Sequence, residues 1–163
     1  MRIDLSCYLL CPYEEAVEQV KTPRLLEYVA APLASFVPVD REKFPPTCEE
    51  GTYTVKLRLG GLVPLGEQNI VISFPETDRG FSLRDNGYSS LIRRWDHTIT
   101  ILPTAAGVLY RDTVVISAGL LTPMVWLFAY VFFRHRQRRW QRLAASGFAY
   151  ESKNSARPTG TLR

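Results

Sequence analysis

The chain has 163 residues, of which 46% are hydrophobic and 22% are charged, and its formal net charge is +4. This composition is typical of one globular domain and excludes both wholesale disorder and a protein built from several membrane spans. A domain of this length buries about 70% of the surface of its unfolded chain, so a sizeable core can form.

The first segment contains a strand pattern followed by two helix patterns. Residues 2–10, RIDLSCYLL, begin with alternating polar and apolar side chains, which predicts a strand. Pro12 opens a helical stretch with Ala16, Val17 and Val20 on one side. A second apolar periodicity follows Pro23 and ends near Pro38, so we expect two short helices after the first strand.

The cysteines and the N-terminal segment indicate in which cellular compartment the protein is expected. Cys7, Cys11 and Cys48 cannot all pair with one another, and none of them forms a CxxC spacing. Reduced thiols are therefore expected. Asp4 interrupts the short apolar stretch at the start and no small-residue cleavage site follows, so we expect a cytoplasmic protein without a signal peptide.

The middle of the chain predicts an antiparallel meander. Residues 39–50 are polar and rich in proline, which predicts a loop. Five strand patterns follow, separated by turn-forming residues and without helical spacing between them. They read GTYTVKLRLGG, GEQNIVISFPE, GFSLRDNG, SLIRRWDHTITILP and GVLYRDTVVISAG.

The last predicted helix begins with Thr122 as N-cap and Pro123 at the first helical position, and it ends near Gly147. The uncharged run 113–133 reaches the length of about 20 residues that a membrane span needs, and arginines follow it. However, LYRDTVVIS has a strand pattern, and the Gly, Thr and Pro of AGLLTP interrupt the run. A helix packed inside the domain is the better interpretation, although a membrane span is the alternative.

Residues 124–133 leave this helix without a polar side. The early helices, a second copy of the chain or an anionic membrane surface would cover the second side. On a membrane, the headgroups would contact Arg134, Arg136, Arg138 and Arg139. Nucleic acid is not an expected partner, because the basic helix end lacks a base-stacking surface.

The order of strand, two short helices, long meander and long C-terminal helix resembles the helix-grip fold of the START-like (SRPBCC) superfamily. The segment CPYEEAVEQVKTPRLLEYVAAPL is similar to the family's opening helix pair. The resemblance implies an α+β fold in which a curved antiparallel sheet wraps around the C-terminal helix. It also implies a cavity for a lipid, quinone, polyketide or other hydrophobic small molecule, as in polyketide cyclase-like and coenzyme Q-binding proteins. We expect a ligand-binding domain over 1–147 and a disordered polar tail over 148–163.

The stretch RRWDHTITI contains the most chemically active side chains, and strand alternation places Trp95, His97 and Ile99 on one face, which we take as the inner one. With the first strand of the meander and the last helix, this face yields the candidate ligand-binding residues Tyr53, Val55, Leu57, Trp95, His97, Ile99, Trp126 and Tyr130.

His97 is also the candidate for acid–base chemistry, with Asp85 or Arg111 as its partner. A core histidine with a satisfied hydrogen bond, and surface ion pairs for the other two residues, are the simpler interpretations. We therefore favour a carrier or sensor over a cyclase- or aromatase-like enzyme. Neither His97 nor His135 lies near a cysteine in the sequence, so no metal site and no cofactor are expected.

Overall fold

The computed structural model describes residues 1–40 and 43–150. Seven antiparallel strands form one sheet in the order β1-β7-β6-β5-β4-β3-β2. Two short helices follow the first strand and a long helix follows the last strand, so the predicted α+β architecture is confirmed. The elements are β1 (Arg2–Leu9), α1 (Tyr13–Val20), α2 (Pro23–Ala30), β2 (Ala34–Pro38), β3 (Gly51–Leu59), β4 (Val63–Ser73), β5 (Phe81–Ser89), β6 (Arg94–Thr104), β7 (Gly107–Ser117) and α3 (Thr122–Ala145).

The core lies between the inner face of the sheet and α3. In the second half of α3, Trp140 and Leu143 are fully buried against Leu9 and Tyr110, which belong to the neighbouring strands β1 and β7. In the first half, Phe133 packs with Val114 and Ile116. Apolar side chains from both halves of the helix therefore fasten it across the sheet.

The segment 31–38 differs from the sequence prediction. The apolar periodicity predicted helix up to Pro38, but α2 ends at Ala30 and residues Ala34–Pro38 form strand β2 beside β3. Pro32 lacks the N–H that a continuing helix would need. The apolar residues after it pair with β3 instead, which is a long-range contact that local periodicity does not report.

Packing contacts continue past residue 147, the predicted end of the ligand-binding domain. Gly147 ends α3 in a left-handed conformation as expected. Phe148 is nevertheless buried in the core, and the Tyr150 hydroxyl donates a hydrogen bond of 2.6 Å to Gln19 Oε1. The packed domain therefore extends at least to Tyr150, and the remainder of the predicted tail lies outside the described residues.

The described helices include none that is both long enough and apolar enough to cross a membrane. The solvent side of α3 is nonetheless apolar near its start, where Met124, Leu127 and Val131 have exposures of 64%, 59% and 52%. Helix α2 packs against α3, but it leaves this stripe uncovered.

Candidate ligand-binding site

An apolar cavity of about 390 Å³ lies between the sheet and α3. Cavities that bind small molecules range from about 300 to 1,000 Å³ and are mostly apolar. The residues that surround this cavity come from α1, α2, the loop between β2 and β3, strands β2 to β6 and α3. They include Leu25, Phe36, Leu57, Ile70, Ile72, Leu83, Trp95, Ile99, Val125, Phe128 and Phe132.

The exposed part of the lining marks the mouth of the cavity. Four lining side chains, Leu65, Leu91, Leu121 and Met124, are exposed. They belong to the β3–β4 hairpin, the β5–β6 loop and the start of α3. Strand register places these three segments at the same end of the sheet, because Ser89 pairs with Gln68 and the start of β6 pairs with the end of β7. The mouth therefore has an apolar rim.

Polar side chains line the cavity at a distance from this rim. Asp85 and His97 are directly opposed on β5 and β6, and both line the cavity together with Arg136 of α3. Asp85 is four residues from Ser89, which corresponds to about 13 Å along a strand. Arg136 is twelve residues from Met124, or about 18 Å along the helix. A ligand that entered at the rim would thus meet these groups at the end of an apolar passage.

His97 is held by a buried hydrogen-bond network. Asp112 Oδ1 accepts hydrogen bonds from His97 Nε2 at 2.8 Å and from the Tyr110 hydroxyl at 2.5 Å, and its Oδ2 accepts one from Gln137 Nε2 at 2.9 Å. Burial alone would raise the pKa of Asp112, but these hydrogen bonds and the nearby Arg136 charge lower it below 3.8. Burial lowers the pKa of His97, so a neutral imidazole donates to an ionised carboxylate.

Asp85 has a different environment. Its Oδ1 accepts a hydrogen bond of 3.0 Å from the Val71 backbone N–H, which lies in a gap of the β4–β5 pairing. The carboxyl group is enclosed by protein, although its surface facing the cavity leaves the residue half-buried. Burial raises the pKa of Asp85 to about 7, against the opposing effects of the Val71 hydrogen bond and Arg136. Asp85 is therefore the group in the cavity that can exchange a proton near neutral pH.

Arg136 is buried at 8% exposure, and its Nε has no hydrogen-bond partner. Its guanidinium carbon lies 5.8 and 5.2 Å from the ring centroids of Phe132 and Phe133. It forms no ion pair with any carboxylate in the part of the chain that the structure describes. Burying a cation without a hydrogen-bonded partner costs free energy, so the unpaired donors of Arg136 require an explanation.

The structure brings most of the predicted ligand-binding residues to the cavity. Tyr53, Leu57, Trp95, His97 and Ile99 line it.

The other three predicted residues lie elsewhere. Val55 is fully buried in the sheet. Trp126 Nε1 donates to the Arg2 carbonyl at 2.9 Å, and Tyr130 stacks on Trp126. These two aromatic side chains occupy the side of α3 that faces the edge strand β1, so the prediction that they line the cavity is wrong.

The two predicted partners of His97 lie on opposite faces of the sheet. Arg111 lies on the outer face of β7 and forms an ion pair with Asp4. Asp85 does reach the inner face, but the hydrogen bond of His97 goes to Asp112. Sequence reasoning missed Asp112 as the partner, although the alternation of β7 groups it with Tyr110 and Val114.

The arginines at positions 134, 136, 138 and 139 of α3 do not form one basic surface. Arg134 and Arg138 are exposed. Arg139 Nε donates to the Tyr28 carbonyl at 2.9 Å, and Arg136 is buried. Helical periodicity explains the split, because Arg136 shares a face with the buried Phe132 and Trp140. The prediction that Arg136 contacts a membrane surface is wrong.

No cluster of three or more His, Cys, Asp or Glu side chains suited to a metal ion occurs within residues 1–40 and 43–150.

The family described as "Domain of unknown function (DUF8410)" matches residues 43–144. The chain belongs to this family. A comparison with curated proteins finds no significant match.

Solved structures show the same fold at low sequence identity. The protein TTHA0849 of Thermus thermophilus is 13% identical with a TM-score of 0.63, and the match covers 90% of this DUF8410 protein and 99% of that chain. A START superfamily protein from Mycobacterium smegmatis is 9% identical with a TM-score of 0.61, covering 89% and 97%. The Aha1 dimer from Colwellia psychrerythraea is 9% identical with a TM-score of 0.59, covering 88% and 96%. The predicted START-like helix-grip fold is confirmed.

Proposed function

We propose that this DUF8410 protein binds a hydrophobic small molecule, as a carrier or sensor, in the cavity between the sheet and α3. The observation that carries the proposal is the apolar cavity of about 390 Å³ with an apolar rim. Burial of apolar ligand surface in such a space contributes roughly 25 cal/mol per Å². A lipid, quinone or polyketide chain has the elongated apolar shape that the passage from Met124 to Arg136 accommodates.

The proposal is tested by displacement of a fluorescent fatty acid from the purified protein. Leu57→Trp would place a large side chain in the cavity, and we expect it to weaken binding at least tenfold. Lys56→Trp is the matched control, because Lys56 is the preceding residue of β3 and points to the solvent face. Equal binding by both variants, or no binding of any apolar probe by the wild type, would refute the proposal.

A second candidate function is docking of the rim on an anionic membrane surface, from which an apolar ligand could enter the cavity. It is favoured by the exposed side chains of Leu121, Met124 and Leu127, which continue along α3 to the exposed Arg134 and Arg138. Apolar side chains would enter the interface while the arginines contact headgroups. The protein would then be cytoplasmic and peripheral to the membrane.

Co-sedimentation with vesicles of phosphatidylcholine containing about 30% phosphatidylserine tests this docking. We expect Leu127→Glu to abolish a salt-sensitive association, while the control substitution Gln141→Glu, farther along α3, leaves it largely intact. If the wild type instead dimerises with increasing concentration and ignores the vesicles, the apolar stripe serves a second copy of the chain.

A further inference from the structure

The inner part of the cavity, away from the rim, contains an unsatisfied cation. Arg136 is buried, its Nε lacks a hydrogen bond, and the guanidinium group lines the cavity. The contacts with Phe132 and Phe133 are to aromatic rings, so they leave the N–H groups of the guanidinium unused.

We infer that the ligand carries one acidic group, a carboxylate, which Arg136 binds away from the rim while the apolar part of the ligand extends to the rim. This inference rests on the proposed function and specifies its ligand class. A guanidinium offers two parallel N–H groups that match the two oxygens of a carboxylate. Such a pair would satisfy the donors that the protein itself leaves without acceptors.

Charge balance favours a single negative charge. Arg136 is the cation in this part of the cavity, and its charge offsets that of the ionised Asp112, which accepts three hydrogen bonds from neutral protein donors. Asp85 faces the same space and can be neutral when protonated. A doubly charged phosphate would add two negative charges to this buried site where a carboxylate adds one, and each added buried charge is costly.

Asp85 can accommodate the ligand carboxylate nearby by taking up a proton. The groups facing Asp85 are the Val71 N–H on β4, Arg136 on α3 and His97 on β6, while the charge of Asp96 acts on it from the other face of the sheet. Because its pKa is about 7 without a ligand, a second carboxylate nearby would favour the protonated form. The protonated acid can then donate a hydrogen bond to the ligand.

Isothermal titration with dodecanoic acid and with dodecanol separates the charge from the apolar chain. We expect the wild type to bind the acid at least tenfold more tightly than the alcohol at pH 6.5, below the critical micelle concentration. Arg136→Met should remove this preference and retain binding of the alcohol. Arg138→Met is the control, since Arg138 is an exposed arginine of the same helix, and it should keep the preference.

The outcomes separate this inference from the proposed function. Equal affinity of the wild type for acid and alcohol would overturn the inference and leave the proposed function standing, whereas failure to bind either probe would overturn both. Tighter binding of dodecyl phosphate than of dodecanoic acid would refute the single charge. If Arg136→Met does not fold, Arg136→Lys tests the same point: it retains the charge without the two parallel donors and should reduce the preference without reversing it.

Discussion

His97 Nε2 lies 2.8 Å from Asp112 Oδ1 in the interior of the domain, although His97 stands opposite Asp85 in the strand register. Two acidic residues on the inner face of the sheet, Asp112 and Asp85, therefore differ in their protonation behaviour. Asp112 is ionised and fully committed to three protein donors, while Asp85 keeps a titratable carboxyl group at the cavity wall.

Asp112→Asn should destabilise the protein strongly. The amide presents a donor to a site that is built from the donors of His97, Tyr110 and Gln137, so at least one buried group loses its partner. We expect a loss of about 3–5 kcal/mol in the free energy of unfolding, measured by urea titration.

Asp4→Asn is the matched control for that substitution. Asp4 pairs with Arg111 on the solvent face of the sheet, and exposed pairs contribute about 1 kcal/mol or less. Equal losses for the two variants would contradict the role of Asp112.

Asp85 makes stability depend on pH. Its pKa is raised to about 7 in the folded protein, so the folded state binds the proton more tightly than the unfolded chain does. The free energy of unfolding therefore falls as pH rises from about 4 through 7, by at most about 1.4 kcal/mol per pH unit from this group. Asp85→Asn keeps an oxygen acceptor for the Val71 N–H but removes the titration.

The check is urea unfolding of both proteins at pH 5.5 and pH 8. His97 and Asp112 are present in both proteins, so the difference between their pH profiles isolates Asp85. The wild type should lose stability relative to Asp85→Asn at the higher pH. Parallel pH profiles would show that Asp85 does not carry a raised pKa.

Trp95 should report ligand binding by fluorescence. Among the three tryptophans, Trp95 lines the cavity, Trp126 bonds to the Arg2 carbonyl and Trp140 is buried against Tyr110. We expect a brominated fatty acid to quench the emission of the wild type, and Trp95→Phe to remove most of the quenching while calorimetry still detects binding. Trp126→Phe, the control, should retain it; unchanged quenching in Trp95→Phe would place the ligand elsewhere.

Phe148 should contribute to stability as a core residue. It is 8% exposed and packs in the same cluster as Trp140 and Leu143. Phe148→Ala should cost about 3–5 kcal/mol, observed as a lower urea midpoint. Ala149→Ser, at the exposed neighbouring position, should change stability by about 0.5 kcal/mol or less. If a chain ending at residue 147 is as stable as one ending at 150, the extended boundary is refuted.

Local patterns predicted most of the elements but not their partners. The alternation in β6 groups Trp95, His97 and Ile99 on one face, and all three line the cavity, because the side chains of a strand alternate regardless of what covers it. For α3, residues 124–133 have no polar side, and periodicity could not assign Trp126 to the edge strand or Phe132 to the cavity. For the same reason the sequence did not predict that Arg136 is buried, and the charge pattern grouped it with the exposed Arg134 and Arg138.

Apart from β2 and the exact first residue of α3, the sequence by itself determined the strand alternation, the turns and the order of the elements, since each depends on residues close together in the chain. Only the tertiary structure decided that His97 bonds Asp112, that Arg136 reaches a cavity, and that Phe148 belongs to the core. These relationships join residues far apart in the chain, and they depend on how the sheet curves and how α3 is rotated on it. No local pattern encodes that rotation, because it is set by packing against the whole inner face of the sheet.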